Sequence, residues 1–275
     1  IGVDAVVLNV TAVKASEATF VTLWPTGGSM PVVSTLNPGG AMAVANMAVV
    51  PVGTDGKVSA YNERGSVHLL FDVVGFYSTA SGPAGSRFHA VNPFRAVDTR
   101  NGTGGIAKRS LAPGASLRFD FRNRGSLPAT GMTALVLNVT TVKPTADGYL
   151  TVFPGDVARP STSSVNFPAG QVVPNLVTVR VPATGVVEFY NASGSTHLVV
   201  DVVGYYDNVR NGDSGRFATV PPKRSWDTRD ENHPLGPGDV DACEVAGFDG
   251  IPLGVGAVAL TVTAVQPTAA GYFTV

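Results

Sequence analysis

The stretch HLVVDVVGYY at residues 197–206 decides the fold class, because it is apolar on both faces and rich in β-branched valine. β-Branched side chains suit a pleated sheet better than a helix. A strand that is apolar on both faces belongs in the centre of a sheet, with other layers covering it. The stretch therefore predicts a β-protein of at least two layers, with residues 197–206 as a central strand.

The same stretch recurs along the chain. Residues 68–77 read HLLFDVVGFY, and residues 2–77 align without a gap to residues 131–206 at an offset of 129. A third copy begins later, where RSWDTR at 224–229 repeats an earlier RAVDTR. A fixed long period takes priority over any local reading of the sequence. The chain is therefore predicted to be a tandem repeat.

Two segments rich in Gly, Ser, Pro and Asn lie at equivalent places, at residues 78–85 and 208–215, and we interpret them as linkers. They bracket one complete domain at residues 86–207, the second copy. Partial domains remain at 1–77, the first copy, and at 216–275, the third copy. A period of about 125 residues is normal for an independently folding domain, so the sequence predicts separate domains joined as beads on a string.

Short runs of alternating apolar and polar residues fill the second copy, and turn residues separate them. The predicted strands are Arg87–Val91, Ala96–Arg100, Ser116–Phe121, Ala134–Val142, Gly148–Phe153, Ser163–Phe167, Leu176–Val181, Val186–Tyr190 and His197–Tyr206. This pattern predicts an all-β fold of tandem β-sandwich domains with Greek-key or jelly-roll connections. In the first copy, TDG at residues 54–56 predicts a tight hairpin.

The composition limits the classes of function. There are 20 acidic and 19 basic residues, and the formal net charge is −1, so no basic surface favours nucleic acid. No apolar run approaches the roughly 20 residues that cross a bilayer. Cys243 has no second cysteine to pair with and lies in a strand-like run at 240–245, where we expect a small buried side chain. Neutral polar surfaces of this kind favour an extracellular or assembled protein.

Several spaced motifs resemble those of a known group of proteins. They are VDTR at 97–100, LNVT at 137–140, GYLTV at 148–152, VPN at 173–175 and DVVGYY at 201–206. They resemble the tandem β-rich repeats of large secreted or cell-wall-attached proteins, chiefly of actinobacteria. The resemblance implies a secreted or cell-surface location and accessory modules beside catalytic or adhesive domains. It implies no activity at any particular residue.

A recurring set of charged residues predicts a structural polar lock. A carboxylate within a doubly apolar strand must be paired, and the expected partners of Asp201 are Arg100 or turn amides. The set comprises Asp72, Asp98, Arg100, Asp201, Asp227 and Arg229. The alternative use of the oxygens near Asp98 and Asp227 is a calcium site.

A second recurring pair is Tyr61-Asn62, which returns as Tyr190-Asn191 before a Gly-Ser turn. Its two interpretations are a packed hairpin tyrosine and a carbohydrate contact, in which the ring stacks on a sugar and the amide binds hydroxyls. GDSG at 212–215 is similar to a serine-protease nucleophile segment but lacks a recognisable His and Asp motif. We expect no enzyme, no cofactor and no metal.

The resulting expectation is a non-catalytic structural or adhesive segment of a large extracellular or cell-surface bacterial protein that assembles into a fibre. Its partners would be other copies, by end-to-end self-association or between neighbouring repeats. The alternative is an array of carbohydrate-binding modules that holds a catalytic domain near cell-wall polysaccharide.

Overall fold

A computed structural model describes residues 2–78, 85–208, 215–218, 220, 224–230, 233–248, 250–269 and 271. These residues form antiparallel β-structure with a single 3-10 turn, so the predicted all-β class is confirmed. The predicted linkers lie largely outside the described residues. Within the described ranges, no helix is long and apolar enough to cross a membrane.

The first copy forms a three-stranded sheet and a two-stranded sheet with a small core between them. Its strands are β1 (Ala5–Val13), β2 (Val21–Pro25), β3 (Val44–Pro51), β4 (Val58–Asn62) and β5 (His68–Tyr77). The sheet orders are β3-β1-β5 and β2-β4. Leu8 and Val10 of β1 pack against Val21 and Leu23 of β2 in this core.

The predicted hairpin at residues 54–56 is wrong. These residues form a 3-10 turn between β3 and β4, but β3 pairs with β1 and β4 pairs with β2. The turn therefore carries the chain from one sheet to the other. The local turn signal is correct, and the pairing is decided by contacts that are distant in sequence.

The second copy is a sandwich of two four-stranded sheets, ordered β10-β9-β12-β7 and β11-β8-β13-β6. Its strands are β6 (Arg87–Asp98), β7 (Ser116–Asp120), β8 (Met132–Val142), β9 (Gly148–Pro154), β10 (Val165–Phe167), β11 (Val173–Arg180), β12 (Val186–Asn191) and β13 (His197–Asp207). Only β9 and β10 are both consecutive in the chain and neighbours in a sheet. Most strand pairs in these two sheets therefore join strands that are not consecutive in the chain.

The core lies between these two sheets. Leu137 and Val139 of β8 and Val200 and Val202 of β13 meet Phe189 of β12, and all five are fully buried. Burying one such side chain stabilises the fold by about 2 kcal/mol. β13 lies between β8 and β6, as predicted for a strand that is apolar on both faces.

β6 corrects the prediction of two short strands at Arg87–Val91 and Ala96–Arg100. It is one strand of 12 residues that continues through Pro93. Proline has no N–H to donate and is tolerated on a strand at the edge of a sheet. β6 is such an edge, and two register shifts against β13 accommodate the irregularity.

The described residues between 215 and 271 contain no strand. In the second copy, the residues equivalent to RSWD at 224–227 belong to β6, which pairs with β13. Cys243 is exposed and its strand-like run forms no strand, so the prediction that it is a buried core residue is wrong.

The first and second copies are in contact. Strand β3 touches both β10 and β11. The interpretation as separate beads did not predict this contact, because the sequence shows the linkers but not the surfaces that meet across them.

Candidate functional site: the recurring polar motifs

Asp98 is the most buried carboxylate among the described ion pairs. It ends β6 and is 1% exposed. Arg100 donates from Nε to Oδ1 at 2.9 Å and from Nη2 to Oδ2 at 2.7 Å, and its backbone N–H also donates to Oδ1 at 2.9 Å. The side-chain hydrogen bonds from Arg100 hold the pKa of Asp98 below its usual range. Because both partners lie within three consecutive residues, we call this pair a local lock.

Thr99, between these two residues, fixes the same loop to β13. Its hydroxyl accepts from the Leu198 backbone N–H at 2.9 Å and lies 3.0 Å from Nδ1 of His197. Thr99 is 1% exposed. The whole Asp-Thr-Arg triplet thus serves to end β6 and attach it to its neighbour.

Asp201 pairs with Arg95, which corrects the expected pairing with Arg100. Nε and Nη2 of Arg95 donate to the two carboxylate oxygens at 2.9 and 3.1 Å. Arg95 and Asp201 are direct cross-strand partners in the β6–β13 ladder. Arg95 Nη1 also lies 3.6 Å from Asp98 Oδ2, so this guanidinium joins both carboxylates. The sequence signal that identifies Arg95 is its own recurrence as Arg224.

Asp227 repeats the local lock in the third copy. Arg229 donates to it from the backbone N–H at 3.1 Å and from Nε at 2.9 Å, and Arg224 Nη1 lies at 3.2 Å. These hydrogen bonds lower the pKa of Asp227. Because no strand surrounds it, the lock forms from the sequence R-x-x-D-T-R alone.

Asp72 is the member of the set without a lock. It occupies on β5 the place of Asp201 on β13 and is half-buried. Among the described residues, no cation or hydrogen-bond donor lies against its carboxylate, and burial raises its pKa. β5 is an edge strand, so the β6-type strand that would supply an arginine is not beside it.

Asn191 is a structural clamp. It is fully buried, and its Nδ2 lies within 3.1 Å of the carbonyl oxygens of Leu111, Ala112 and Gly194. The guanidinium of Arg159 lies over the ring of the adjacent Tyr190, 3.7 Å from the ring centroid. The Nδ2 group of Asn191 and one ring face of Tyr190, both part of this predicted carbohydrate contact, are thus occupied by the protein itself.

Asn62 closes the equivalent turn in the first copy. Its Nδ2 donates to the carbonyls of Arg64 and Gly65 at 2.8 and 3.0 Å, and its Oδ1 accepts from Thr19 at 2.9 Å. Tyr61 is 37% exposed and lies beside the Phe20 ring, with the ring centroids 6.2 Å apart. The two asparagines therefore act alike, as tethers for the turn that follows.

The carboxylates that a calcium ion would need, those of Asp98 and Asp227, are already paired with arginine. Both oxygens of Asp98 accept from Arg100, and both oxygens of Asp227 lie within hydrogen-bond distance of arginine. In the part of the chain that the structure describes, no three His, Cys, Asp or Glu side chains are grouped as metal ligands would be. Residues 212–214 of the protease-like GDSG segment lie outside the described residues.

Comparisons with known proteins leave the family open. No protein-family description matches this chain, and no curated protein matches it. The class that fold and site define is a tandem β-sandwich repeat whose recurring polar residues bind to the protein itself.

Proposed function

We propose that this chain is a non-catalytic structural or adhesive segment of a larger extracellular or cell-surface bacterial protein. One observation carries the proposal: the recurring Asp-Thr-Arg lock and the recurring Tyr-Asn turn are held by hydrogen bonds within their own repeats. In the second copy, Asp98, Arg100 and Asn191 all bind groups within that copy. Residues that recur to hold a fold together need no substrate to explain their recurrence.

The neutral polar composition supports the same role. A chain with 14% charged residues and a net charge of −1 has little electrostatic repulsion to oppose packing between copies. Tandem repeats of this kind serve as spacers and lateral contact surfaces. The partners we propose are other copies of the repeat, and the location we propose is outside the cell.

The carbohydrate-binding alternative has less support. A sugar site needs a free aromatic face beside free hydrogen-bonding groups. Arg159 covers one face of Tyr190, and the Nδ2 group of Asn191 is committed to backbone carbonyls. The amide of Asn62 is likewise committed to its own turn. We therefore favour the structural role.

Binding and stability measurements on two neighbouring substitutions test this choice. The full chain and its Tyr190→Ala and Asn191→Ala variants are titrated with a panel of cell-wall polysaccharides and unfolded with urea. We expect no saturable binding by any of the three. Asn191→Ala should lose about 2 kcal/mol of stability, because it leaves buried carbonyls without a donor. Saturable polysaccharide binding that Tyr190→Ala abolishes at unchanged stability would establish the carbohydrate-binding alternative instead.

A further inference from the structure

The first and second copies meet through a buried pair of amides. Asn9 on β1 donates from Nδ2 to the carbonyl of Ser163 at 2.7 Å, and its Oδ1 accepts from Asn175 Nδ2 at 3.0 Å. Asn9 is 7% exposed and Asn175 is 5% exposed. Buried amides that satisfy each other in this way fix both position and orientation. The contact is therefore specific.

A second hydrogen bond lies beside the first. Met47, the β3 residue opposite Asn9, accepts at its sulfur from the hydroxyl of Thr178 at 3.3 Å. The contact thus has two sides. We call Asn9 and Met47 the Asn face, and we call Ser163, Asn175 and Thr178 the receiving edge.

Both sides are present in both copies. At the repeat offset, the Asn face of the second copy is Asn138 and Leu176, and the receiving edge of the first copy is Ser34, Asn46 and Val49. All five residues are only half-buried. Within the described ranges, the side-chain amide of Asn138 makes no hydrogen bond, in contrast to that of Asn9. The described residues of the first and second copies therefore contain one used pair and one unused pair.

The unused receiving edge already has the geometry of the used one. Asn46 donates to the Thr35 carbonyl at 2.8 Å, just as Asn175 donates to the Ser164 carbonyl at 2.7 Å. The hydroxyl of Thr35 accepts from a backbone N–H of β2, and the hydroxyl of Ser164 accepts from a backbone N–H of β9, both at 3.0 Å. Asn46 is therefore held at the first copy's edge by the same backbone contact that holds Asn175 at the used edge.

Exposed apolar side chains mark this edge in the first copy. Met30 and Val32 lead into Ser34, and Met42 leads into β3; they are 48%, 87% and 41% exposed. Their counterparts in the second copy are Arg159, Ser161 and Gln171. Exposed apolar residues of this kind are typical of surfaces that bind another protein. The second copy exposes two apolar side chains of its own in the same segments, Val157 at 48% and Val172 at 58%.

We propose that the receiving edge of the first copy binds the Asn face of the second copy of another molecule of this chain. The inference rests on the proposed structural role and gives it a mechanism. The contact joins two different surfaces, so each bound molecule still offers one free Asn face and one free receiving edge. Such a heterologous contact grows head to tail unless it closes into a ring.

Sedimentation velocity on the full chain over a range of concentrations tests the proposal. The wild-type mass should rise with concentration to at least twice the monomer mass of 28.3 kDa. Asn138→Arg should block the Asn face, and Val49→Arg should block the receiving edge. Each variant alone should then remain monomeric. Thr184→Arg, in the exposed turn after β11, is the matched control and should oligomerise like the wild type.

Mixing the two blocked variants separates this mechanism from a folding defect. Asn138→Arg keeps a working receiving edge, and Val49→Arg keeps a working Asn face. An equimolar mixture should therefore form a species of two molecules and no larger one, which misfolded variants could not do. A monomeric wild type would overturn the proposal. Oligomers that persist in either variant, or a mixture that stays monomeric, would also overturn it.

The outcome is independent of the test of the proposed function. If the chain is monomeric and binds no polysaccharide, the proposed contact is wrong and the structural role stands. If the chain binds polysaccharide saturably, the structural role is wrong, whether or not the chain forms oligomers.

Discussion

Strands β5 and β13 have almost the same sequence but different surroundings. Val202 of β13 is fully buried, whereas Val73, at the same place in β5, is 68% exposed. β13 has β8 on one side and β6 on the other, and the second sheet covers it. β5 has only β1 beside it within the described residues. The local pattern therefore specifies a strand, and the neighbouring strands decide whether its side chains are buried.

The largest expected effect comes from placing a charge at the two equivalent valines. Val202→Asp should destabilise the second copy by about 4 kcal/mol or more, because it buries an unpaired carboxylate in the core. Val73→Asp should change stability by less than about 0.5 kcal/mol, because its side chain stays in water. Urea denaturation of both full-length variants measures the difference. Equal losses would show that Val73 is covered in solution.

A smaller effect is expected at the charged lock that ends β6. Asp98→Ala should cost about 2 kcal/mol, because it leaves the backbone N–H of Arg100 without its acceptor as well as breaking the ion pair. Asp227→Ala removes the same local lock where no strand packs on it, and the main unfolding transition should stay unchanged. Urea denaturation again compares the two variants. A comparable loss from Asp227→Ala would mean that the third copy packs against the sandwich.

The same lock predicts a dependence of stability on pH. Because Arg100 lowers the pKa of Asp98, the folded state binds this proton less tightly than the unfolded state does. The stabilisation is complete above the unfolded-state pKa of about 4 and is lost as the pH falls through the lowered folded-state pKa. Asp98→Ala should therefore lose less stability on acidification than the wild type. An identical acid profile for both proteins would contradict this origin.

The smallest effect is expected at the two equivalent aspartates. Asp201→Ala should cost about 1 kcal/mol, since its pair with Arg95 is partly open to water. This is less than the loss of about 3 kcal/mol that full burial of this carboxylate would imply. Asp72→Ala should not destabilise, because burial raises the pKa of an unpaired carboxyl whose charged form is unfavourable there. Matched thermal melts at neutral pH test the pair. A loss of stability in Asp72→Ala would mean that a cation lies beside Asp72 in solution.

The sequence is sufficient to predict the all-β class and most strands of the second copy. Alternation, valine content and turn residues locate the strands of the second copy closely and identify β13 as central. They split β6 in two at Pro93, because a local rule does not show that an edge strand tolerates proline. They also place a hairpin at residues 54–56, although the two strands there pair elsewhere.

The candidate site is predicted only in part from the sequence. The sequence identifies several of its residues, but it does not show which residues they pair with. Asp98, Arg100 and Asp201 are recognisable from recurrence, but the Asp201–Arg95 pair depends on the register of β6 against β13. The contact between Asn9 and Asn175 was missed entirely. It depends on how two copies pack together, and the presence of the LNVT and VPN motifs does not show that their asparagines meet across copies.

Hydrogen exchange of the backbone amides of β5 and β13 in the full chain tests the central claim most directly. β13 bonds to strands on both sides, whereas β5 bonds to β1 alone. Peptides covering His197–Asp207 should therefore exchange at least about 100-fold more slowly than those covering His68–Tyr77, since an unpaired edge opens at low free energy. Equal protection of the two segments would contradict the account, because it would mean that another strand covers β5 in solution.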